Sequence, residues 1–317
     1  MNLSSLRYLV ALSEHGHFGR AAEASHITQP ALSNAMRALE EEFGVVIVKR
    51  GRNYAGLTPE GERVLASAQR MLREHHVLQQ ELSSEAGRPR GPIRIGAVPT
   101  AMPVAARFAA ILHAKHPGIV PAVLSLSSPE LELGLETLSL DLALGYTERM
   151  QLRGTPLTSW PQYTEHYFLL RRAEGPAAGG LRIGAPMRWA DAAREPLVLL
   201  TPGMHNRTIV DSAFLSAGTP VQPAFESNSV LSLALAVAAG NLCSVMPGAL
   251  VGTVRGYGEL EALPLVEPEV ITPIGFMAAT GVRPSRALEG ALALAQDAQW
   301  LQHAAAHAGL RGPSFKS

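Results

Sequence analysis

Four polar side chains near the start of the chain are of the types that read nucleic acid. Gln29, Ser33, Asn34 and Arg37 fall on one face of a helical pattern, opposite its apolar stripe. Amide, hydroxyl and guanidinium groups hydrogen-bond base edges and phosphates in the major groove. The same residue types also suit a solvated helix face, so this pattern alone leaves both interpretations open.

A group of cations follows a few residues further on. The β-branched run Val45–Val48 leads into Lys49, Arg50 and Arg52, and the chain then returns through Tyr54–Leu57. This order predicts a hairpin with a cationic tip that is able to contact phosphates or the minor groove. We call residues 45–57 the wing.

Three short helices must hold these side chains. The apolar spacing predicts helices that end at Gly16, cover Phe18–Ser25, and run from near Thr28 to Phe43, with Pro30 in the last one's first turn. The close succession of the second and third helices is the helix-turn-helix pattern, whose second helix enters the major groove.

A long helix is predicted to begin after Thr58. Threonine is a good N-cap, and Pro59 suits the first helical position. Residues at alternating spacings of four and three form a seam of about three heptads: Val64, Ala68, Met71, His75, Leu78 and Leu82. The seam either packs on its own domain or pairs with a second helix. A single apolar stripe favours dimerisation, with His75 as a polar seam residue.

The remainder of the chain has an α/β pattern. The breaker cluster Gly87–Pro92 predicts a hinge, after which short apolar runs alternate with helical segments. The strand Ile93–Val98 leads through Thr100 to a helix that begins at Pro103. Free backbone N–H groups at such a junction suit an anion or a carboxylate, although an ordinary N-cap has the same pattern.

Composition excludes several classes of protein. Lys+Arg and Asp+Glu both number 27, which excludes a globally basic nucleic-acid coat. Hydrophobic residues at 47% exclude a disordered chain, and no apolar stretch approaches the roughly 20 residues of a membrane helix. Cys243 is the only cysteine, so an intramolecular disulfide or a cysteine-based zinc cluster cannot form. Because Met1–Leu12 does not resemble a signal peptide, we expect a soluble cytoplasmic protein without membrane contact.

Catalytic chemistry finds no support in the sequence. Neither a phosphate loop with lysine, nor a nucleophile elbow, nor a His-Glu-x-x-His motif is present. The groups around His15 and His75 are interpreted as solvated helix ends, and Cys243 as an inert core residue. We therefore expect no catalytic residue, no metal and no cofactor. The rival class is a solute-binding protein, and both the missing signal-peptide pattern and the winged N-terminus argue against it.

The order of motifs makes a family resemblance specific. Ala21–Glu23, Thr28–Ser33, Leu39–Gly44 and Leu57–Gly61 together resemble the N-terminal signature of LysR-type transcriptional regulators. Ser25 stands where the family usually has leucine, and Val48 stands where it usually has phenylalanine. Both differences concern packing more than DNA contact.

The resemblance covers the whole chain and implies an α+β multi-domain fold. Its parts are a winged helix-turn-helix DNA-binding domain (1–58), a long linker and dimerisation helix (59–87), a hinge (88–92), a two-subdomain α/β effector domain of the periplasmic-binding-protein type (93–305) and a C-terminal tail (306–317). Subdomain I is expected over about 93–162 and 268–305, and subdomain II over about 163–267.

The resemblance also implies the function: a sequence-specific DNA-binding regulator modulated by a small-molecule effector bound between the subdomains. The implied partners are double-stranded promoter DNA, further copies of the chain in a dimer and then a tetramer, and RNA polymerase. DNA contacts are expected from Thr28, Gln29, Pro30, Ser33, Asn34, Arg37, Lys49, Arg50 and Arg52. Effector contacts are expected from Thr100, Ala101, Met102, Ser128, Tyr146, His205, Ser227 and Asn228. The residue types favour a small carboxylate or similar anion, with His205 as a possible cation. The chain also resembles regulators associated with formate dehydrogenase genes, and that resemblance implies formate as the candidate effector.

Overall fold

Capping side chains set where the four N-terminal helices begin. The computed structural model describes residues 2–49, 54–84, 88–152, 157–175, 179–280 and 283–308. Asn2, His17, Thr28 and Thr58 each accept a hydrogen bond from a backbone N–H of the first turn that follows. The helices are α1 (Leu3–His15), α2 (Phe18–Ala24), α3 (Gln29–Phe43) and α4 (Pro59–Ser83).

These helices share one apolar core in the first of two compact units, most of which is residues 1–86. The core contains residues from all four helices, among them Leu6, Leu9, Leu12, Ala21, Ala22, Leu32, Met36, Leu39, Leu65 and Ala68. The predicted seam of α4 is therefore divided. Ala68 belongs to the unit's own core, whereas Met71, Leu78 and Leu82 are 42%, 52% and 80% exposed.

The wing differs from the predicted hairpin of two strands. Only Val48 and Leu57 form a β-bridge, with the Lys49 N–H donating to the Gly56 carbonyl. The tip of the wing, with Arg50 and Arg52, lies outside the described residues. Residues 45–47 do not form a strand, because their backbone groups hydrogen-bond to Glu40 and to Thr58, the N-cap of α4.

The second unit contains eleven strands, all within the described residues. They are β1 (Gly91–Ala97), β2 (Ile119–Ser125), β3 (Leu142–Tyr146), β4 (Leu157–Arg172), β5 (Arg182–Ile183), β6 (Met187–Arg188), β7 (Leu197–Leu200), β8 (Phe225–Ser227), β9 (Cys243–Pro247), β10 (Leu260–Val266) and β11 (Ile271–Ala279). Since β1 begins at Gly91, the last two residues of the predicted hinge lie in this strand.

The helices of the second unit follow the predicted alternation with the strands. They are α5 (Met102–Lys115), α6 (Ser128–Glu136), α7 (Thr147–Leu152), α8 (Trp189–Ala192), α9 (His205–Ser216), α10 (Val230–Ala239), α11 (Gly248–Val251), α12 (Arg286–Ala295) and α13 (Ala298–Ala308). Among the described residues, no helix combines the length and the apolar character that are needed to cross a membrane.

The sheet runs in the order β2-β1-β3-β11-β4-β9-β7-β8, with β10 also paired to β4. The part from β2 to β11 and the first half of β4 form lobe I around one apolar core. The second half of β4 with β7 to β10 forms lobe II, which has an apolar core on each face. The long strand β4 pairs with β11 over residues 157–166 and with β9 over residues 167–170. Two antiparallel strands, β4 and β11, thus connect the lobes.

Candidate DNA interface and ligand cavity

The recognition face of α3 presents the polar residues that the sequence indicated. Thr28, Gln29, Pro30, Asn34 and Arg37 are exposed, while Ser33 is half-buried. Leu32, Met36 and Leu39 on the opposite face are buried in the core. A rigid helix thereby holds the polar side chains outward, as readout of base edges requires.

A carboxylate on α3 fixes the position of the wing. Oε1 of Glu40 accepts hydrogen bonds from the backbone N–H groups of Ile47 at 2.8 Å and Val48 at 3.1 Å. Ile47 is fully buried and Val48 nearly so. The exposed Lys49 follows directly. Glu40 therefore ties α3 to the segment that leads to Lys49.

The start of α4 fastens the same segment from its other side. The Thr58 N–H donates to the Ile47 carbonyl at 2.9 Å, and its hydroxyl donates to the Val46 carbonyl while accepting from the Gly61 N–H. A Cβ at Gly61 would lie only 2.2 Å from the Ile47 carbonyl oxygen. The motif Leu57–Gly61 is therefore a close backbone contact in which only glycine fits.

A small cavity lies between the two lobes, at the carboxyl ends of β1, β2, β3 and β7. Lobe I contributes Val98, Pro99, Thr100, Ser127, Ser128 and Tyr146, and lobe II contributes Leu200, Met204, His205 and Asn206. The volume open to the centre of a water-sized sphere is about 10 Å³. That is about the room which one water molecule needs.

One wall of the cavity is a pair of hydroxyls. Thr100 follows β1 in a single 3-10 turn, and Tyr146 ends β3. The Thr100 hydroxyl and the Tyr146 phenol oxygen are 3.0 Å apart, and both side chains are buried. Burial, together with the nearby Glu165, raises the pKa of Tyr146 far above its usual value, so this phenol keeps its proton and acts as a neutral hydrogen-bonding group.

Two buried polar atoms on cavity-lining residues make no hydrogen bond. They are Ser128 Oγ at the start of α6 and Asn206 Nδ2 near the start of α9, although the Asn206 amide lies close enough to the Tyr146 and Tyr167 phenols to lower their pKa values. Ser128 is 3% and Asn206 5% exposed. Because buried polar groups are almost always paired, two such atoms beside one cavity indicate a missing acceptor. Sequence reasoning missed Asn206, although it directly follows the predicted His205.

His205, a possible cation according to the sequence, is half-buried beside Tyr146. Its ring packs edge-on against Tyr146, with ring centroids 4.8 Å apart. Burial and the positive charge of Arg149 lower the pKa of His205, despite the opposing effect of Glu132. The imidazole is therefore expected to be neutral at pH 7. Arg149 itself is held by Glu132 at 2.8 Å.

Four predicted effector residues do not line this cavity. Ala101 is fully buried in the lobe I core, and Met102 packs against that core. Ser227 Oγ accepts a hydrogen bond from the Ser229 N–H, so it supports the turn into α10. Asn228 lies exposed beside it.

A cluster of buried polar side chains lies behind the Tyr146 wall. We call Tyr146, Tyr163, Glu165, Tyr167 and Thr272 the buried polar cluster. The Tyr163 hydroxyl donates to Glu165 Oε1 at 3.3 Å, and the Tyr167 hydroxyl and the Thr272 hydroxyl are 3.1 Å apart. Glu165 is fully buried, and its second oxygen has no partner. Burial raises the pKa of Glu165 to about 8, although the bond from Tyr163 opposes the shift. The sequence signal was a lone glutamate in an apolar strand, and it was overlooked.

The only thiol of the chain lies in the apolar core of lobe II. Cys243 is buried at the start of β9, and burial together with Glu195 raises its thiol pKa to about 11. A thiol of that pKa is a poor nucleophile at pH 7. In the described part of the chain, no group of three or more His, Cys, Asp or Glu side chains is placed to hold a metal ion.

Comparison with known proteins places these two sites in context. Residues 3–62 match the bacterial regulatory helix-turn-helix protein, lysR family, and residues 86–300 match the LysR substrate binding domain. The chain is 30% identical over 278 residues to the DNA-binding transcriptional dual regulator OxyR of Escherichia coli K12, covering 87% of this chain and 89% of that protein. It is also 30% identical over 291 residues to a hydrogen peroxide-inducible genes activator of Pectobacterium carotovorum, covering 92% of this chain and 93% of that protein. The structure of a full-length OxyR cysteine variant from Pseudomonas aeruginosa superposes on this chain with a TM-score of 0.68 at 27% identity. The match covers 92% of this chain and 96% of that one.

Proposed function

Because the chain belongs to the LysR family of DNA-binding transcriptional regulators, we propose that it controls promoters in the cytoplasm in response to a small anion held between its lobes. The family is one of regulators rather than enzymes. The proposed DNA contacts are the exposed face of α3 and the wing. The proposed effector is a carboxylate of the size of formate, and the unpaired donor atoms of Ser128 and Asn206 are the observation that carries this choice.

The DNA-binding part of the proposal rests on the rigid outward placement of Gln29 and Asn34 and on the anchored wing. A gel-shift titration of the upstream region of its own gene against random DNA tests it. Gln29→Ala or Ser33→Ala is expected to weaken specific binding by about tenfold, since one good base contact discriminates by roughly 1–3 kcal/mol. Glu23→Ala, at an exposed position of α2, is the control and should leave the preference unchanged. Equal affinity for both DNAs would refute the proposal.

The exposed half of the α4 seam supports assembly into a dimer, and from there into the tetramer expected from the family. Met71, Leu78 and Leu82 form an apolar stripe at heptad spacing, and such stripes on a soluble protein mark contact surfaces. Leu78→Glu is expected to shift the sedimentation coefficient toward that of the monomer. The control is Gln79→Glu, which adds the same charge at an exposed position outside the seam.

Cavity size and donor chemistry favour a small anion. A hydroxyl and an amide N–H without partners supply hydrogen bonds to an acceptor, while the neutral His205 and the apolar Leu200 and Met204 leave little room. A ligand of three heavy atoms requires only a slight separation of the lobes, whereas an aromatic acid requires a large one.

A thermal-shift titration with sodium formate, sodium acetate and sodium benzoate tests the effector class. Formate is expected to stabilise the full chain more than acetate, and benzoate is expected to have no effect. Thr100→Val removes the hydroxyl that holds Tyr146 and should abolish the shift without changing DNA affinity. The matched control is Thr137→Val, at a threonine outside the cavity. If no carboxylate shifts the melting temperature, the anion proposal is wrong while the DNA-binding proposal stands.

Hydrogen peroxide is a second candidate effector, because a relative of this chain is named for its response to it. Peroxide has two heavy atoms, one fewer than formate, and would require a smaller separation of the lobes. The buried Cys243, with its raised pKa, does not support a thiol reaction. Peroxide would therefore have to bind through hydrogen bonds, without forming a covalent bond to the protein. The Cys243→Ser variant would then respond to peroxide like the wild type.

A further inference from the structure

Glu165 has an unusual position for a carboxyl group. It lies on β4, one of the two strands that connect the lobes, and pairs in register with Thr272 on β11. It is fully buried, and Oε2 makes no hydrogen bond. A buried ionised carboxylate needs a cation or several donors, and Glu165 receives only the Tyr163 hydroxyl.

Among the described residues, burial and the Tyr163 hydroxyl account for the shift in the pKa of Glu165, and no cation contributes to it. Tyr163 and Tyr167 flank it on β4, Tyr146 faces it from β3, and Thr272 from β11. All three phenols have pKa values raised far above the ordinary range by burial. On α9, burial and Arg149 lower the pKa of His205, while Glu132, which pairs with Arg149, opposes that shift.

The buried polar cluster is continuous with the cavity wall. Tyr146 lines the cavity and is close enough to Glu165 for the carboxylate to raise its pKa. Asn206 also lines the cavity and lies near the phenol oxygens of both Tyr146 and Tyr167, lowering their pKa values. A negative charge in the cavity therefore lies one side chain away from Glu165, with low-dielectric protein between them.

We infer that the cavity binds its small anion together with one proton, which Glu165 carries as a neutral carboxylic acid. This inference rests on the anion effector proposed above. In the free protein a fraction of Glu165 is ionised near neutral pH, and that fraction rises with pH. Anion binding draws a proton from solvent onto Glu165, because two negative charges this close in a buried site repel each other.

The expected pH dependence follows from the pKa of about 8 for Glu165. A group of that pKa is about one-tenth ionised at pH 7 and about nine-tenths ionised at pH 9. If only the protonated form accepts the anion, the Kd for formate rises about tenfold between these pH values. His205 and Cys243 do not titrate in this window, because their pKa values are shifted below and above it.

Titration calorimetry of the full chain with sodium formate at pH 7, 8 and 9 tests the inference. Wild type should lose about tenfold in affinity, whereas Glu165→Gln, which keeps the shape without the charge, should bind equally at all three values. Tyr163→Phe removes the bond that lowers the pKa of Glu165, so its loss of affinity should move to higher pH. Glu136→Gln, at an exposed carboxylate of lobe I, is the control and should behave as wild type.

A wild-type Kd that does not change from pH 7 to 9, or a Glu165→Gln variant that keeps the pH dependence, would overturn the inference while leaving the anion site intact. Infrared difference spectra of the free protein between pH 6.5 and 9.5 test it without any ligand. The carbonyl band of a protonated carboxyl should be present at pH 6.5 and absent in Glu165→Gln. Absence of this band in wild type would also overturn the inference, and failure of formate to bind at any pH would instead refute the effector class.

Discussion

Replacement of Glu40 by alanine is the sharpest test of how the DNA-binding unit is assembled. One oxygen of this carboxylate accepts two backbone hydrogen bonds, from Ile47 and Val48. Loss of the carboxylate leaves two N–H groups in a largely buried segment without partners. Each such donor costs about 1–3 kcal/mol, and water can reach part of this site. We therefore expect the free energy of unfolding of this unit to fall by about 3 kcal/mol.

Differential scanning calorimetry of the full chain measures this effect on each unit separately. A loss of about 3 kcal/mol in a unit of this size lowers its Tm by on the order of 10–20 °C, while the effector unit should melt as before. Glu40→Gln retains an acceptor oxygen and should lose only about 1 kcal/mol. Glu41→Ala removes an exposed carboxylate one residue away, and it should change stability by less than about 0.5 kcal/mol.

The same substitution should weaken DNA binding, because the wing is no longer tied to α3. A stability change in Glu40→Ala that is as small as that of Glu41→Ala would show that the two N–H groups find other partners. The account of the wing given above would then be wrong. A shift in the melting of the effector unit instead would show that the substitution acts by another route.

Four further outcomes are expected from single changes. Lys49→Ala should reduce the slope of log affinity for DNA against log salt concentration by about 0.9, the value of one phosphate contact, as measured by fluorescence anisotropy. Gly61→Ala should unfold the DNA-binding unit at a lower temperature, since its Cβ would meet the Ile47 carbonyl at 2.2 Å. Wild type should lose about 2 kcal/mol of stability relative to Glu165→Gln between pH 6 and pH 8 in urea unfolding, because a raised carboxyl pKa removes stability as pH rises toward it. Cys243→Ser should leave the response to effectors unchanged in a promoter-binding assay.

Sequence patterns located the helices of the first unit well, because their caps are local. Thr28 with Pro30, and Thr58 with Pro59, mark helix starts through contacts within four residues. The predicted strand over Val45–Val48 did not form for the opposite reason, because its hydrogen-bond partners are distant in the sequence. Its β-branched residues predict a strand, but Glu40 takes two of its N–H groups and Thr58 takes two of its carbonyls. Those partners are seven to twelve residues away, so neither the strand propensity nor the apolar periodicity of the run itself reveals them.

The first crossing between the lobes was also only partly predictable. The expected boundary between the subdomains, near residue 162, falls inside β4, which begins at Leu157 and ends at Arg172. Pro161 lies inside this strand and has no N–H to donate, so it argues against a continuous strand. The structure accommodates it opposite Gly275, where the register with β11 shifts. A bulge of this kind depends on a partner strand more than a hundred residues away.

The cavity residues show a similar division between local and distant causes. All eight expected effector positions came from the family resemblance, and Thr100, Ser128, Tyr146 and His205 are the four that line the cavity, where strand ends and helix starts meet at one sheet edge. Ser227 was included by family resemblance, but its hydroxyl serves the turn before α10. Which side chain is left without a partner is a property of packing across two lobes, and no sequence pattern reports it.

The two unpaired donors would allow the proposed anion to regulate the protein, because they come from different lobes. Ser128 belongs to lobe I and Asn206 to lobe II. A ligand changes the balance between two lobe arrangements only by its difference in affinity for them. An acceptor that bonds to both residues loses at least one bond when the lobes separate, which is worth about 1–3 kcal/mol for a charged acceptor. That difference matches the usual range of allosteric coupling. Ser128→Ala or Asn206→Ala alone should therefore abolish the effect of the anion on promoter affinity more completely than it reduces binding of the anion.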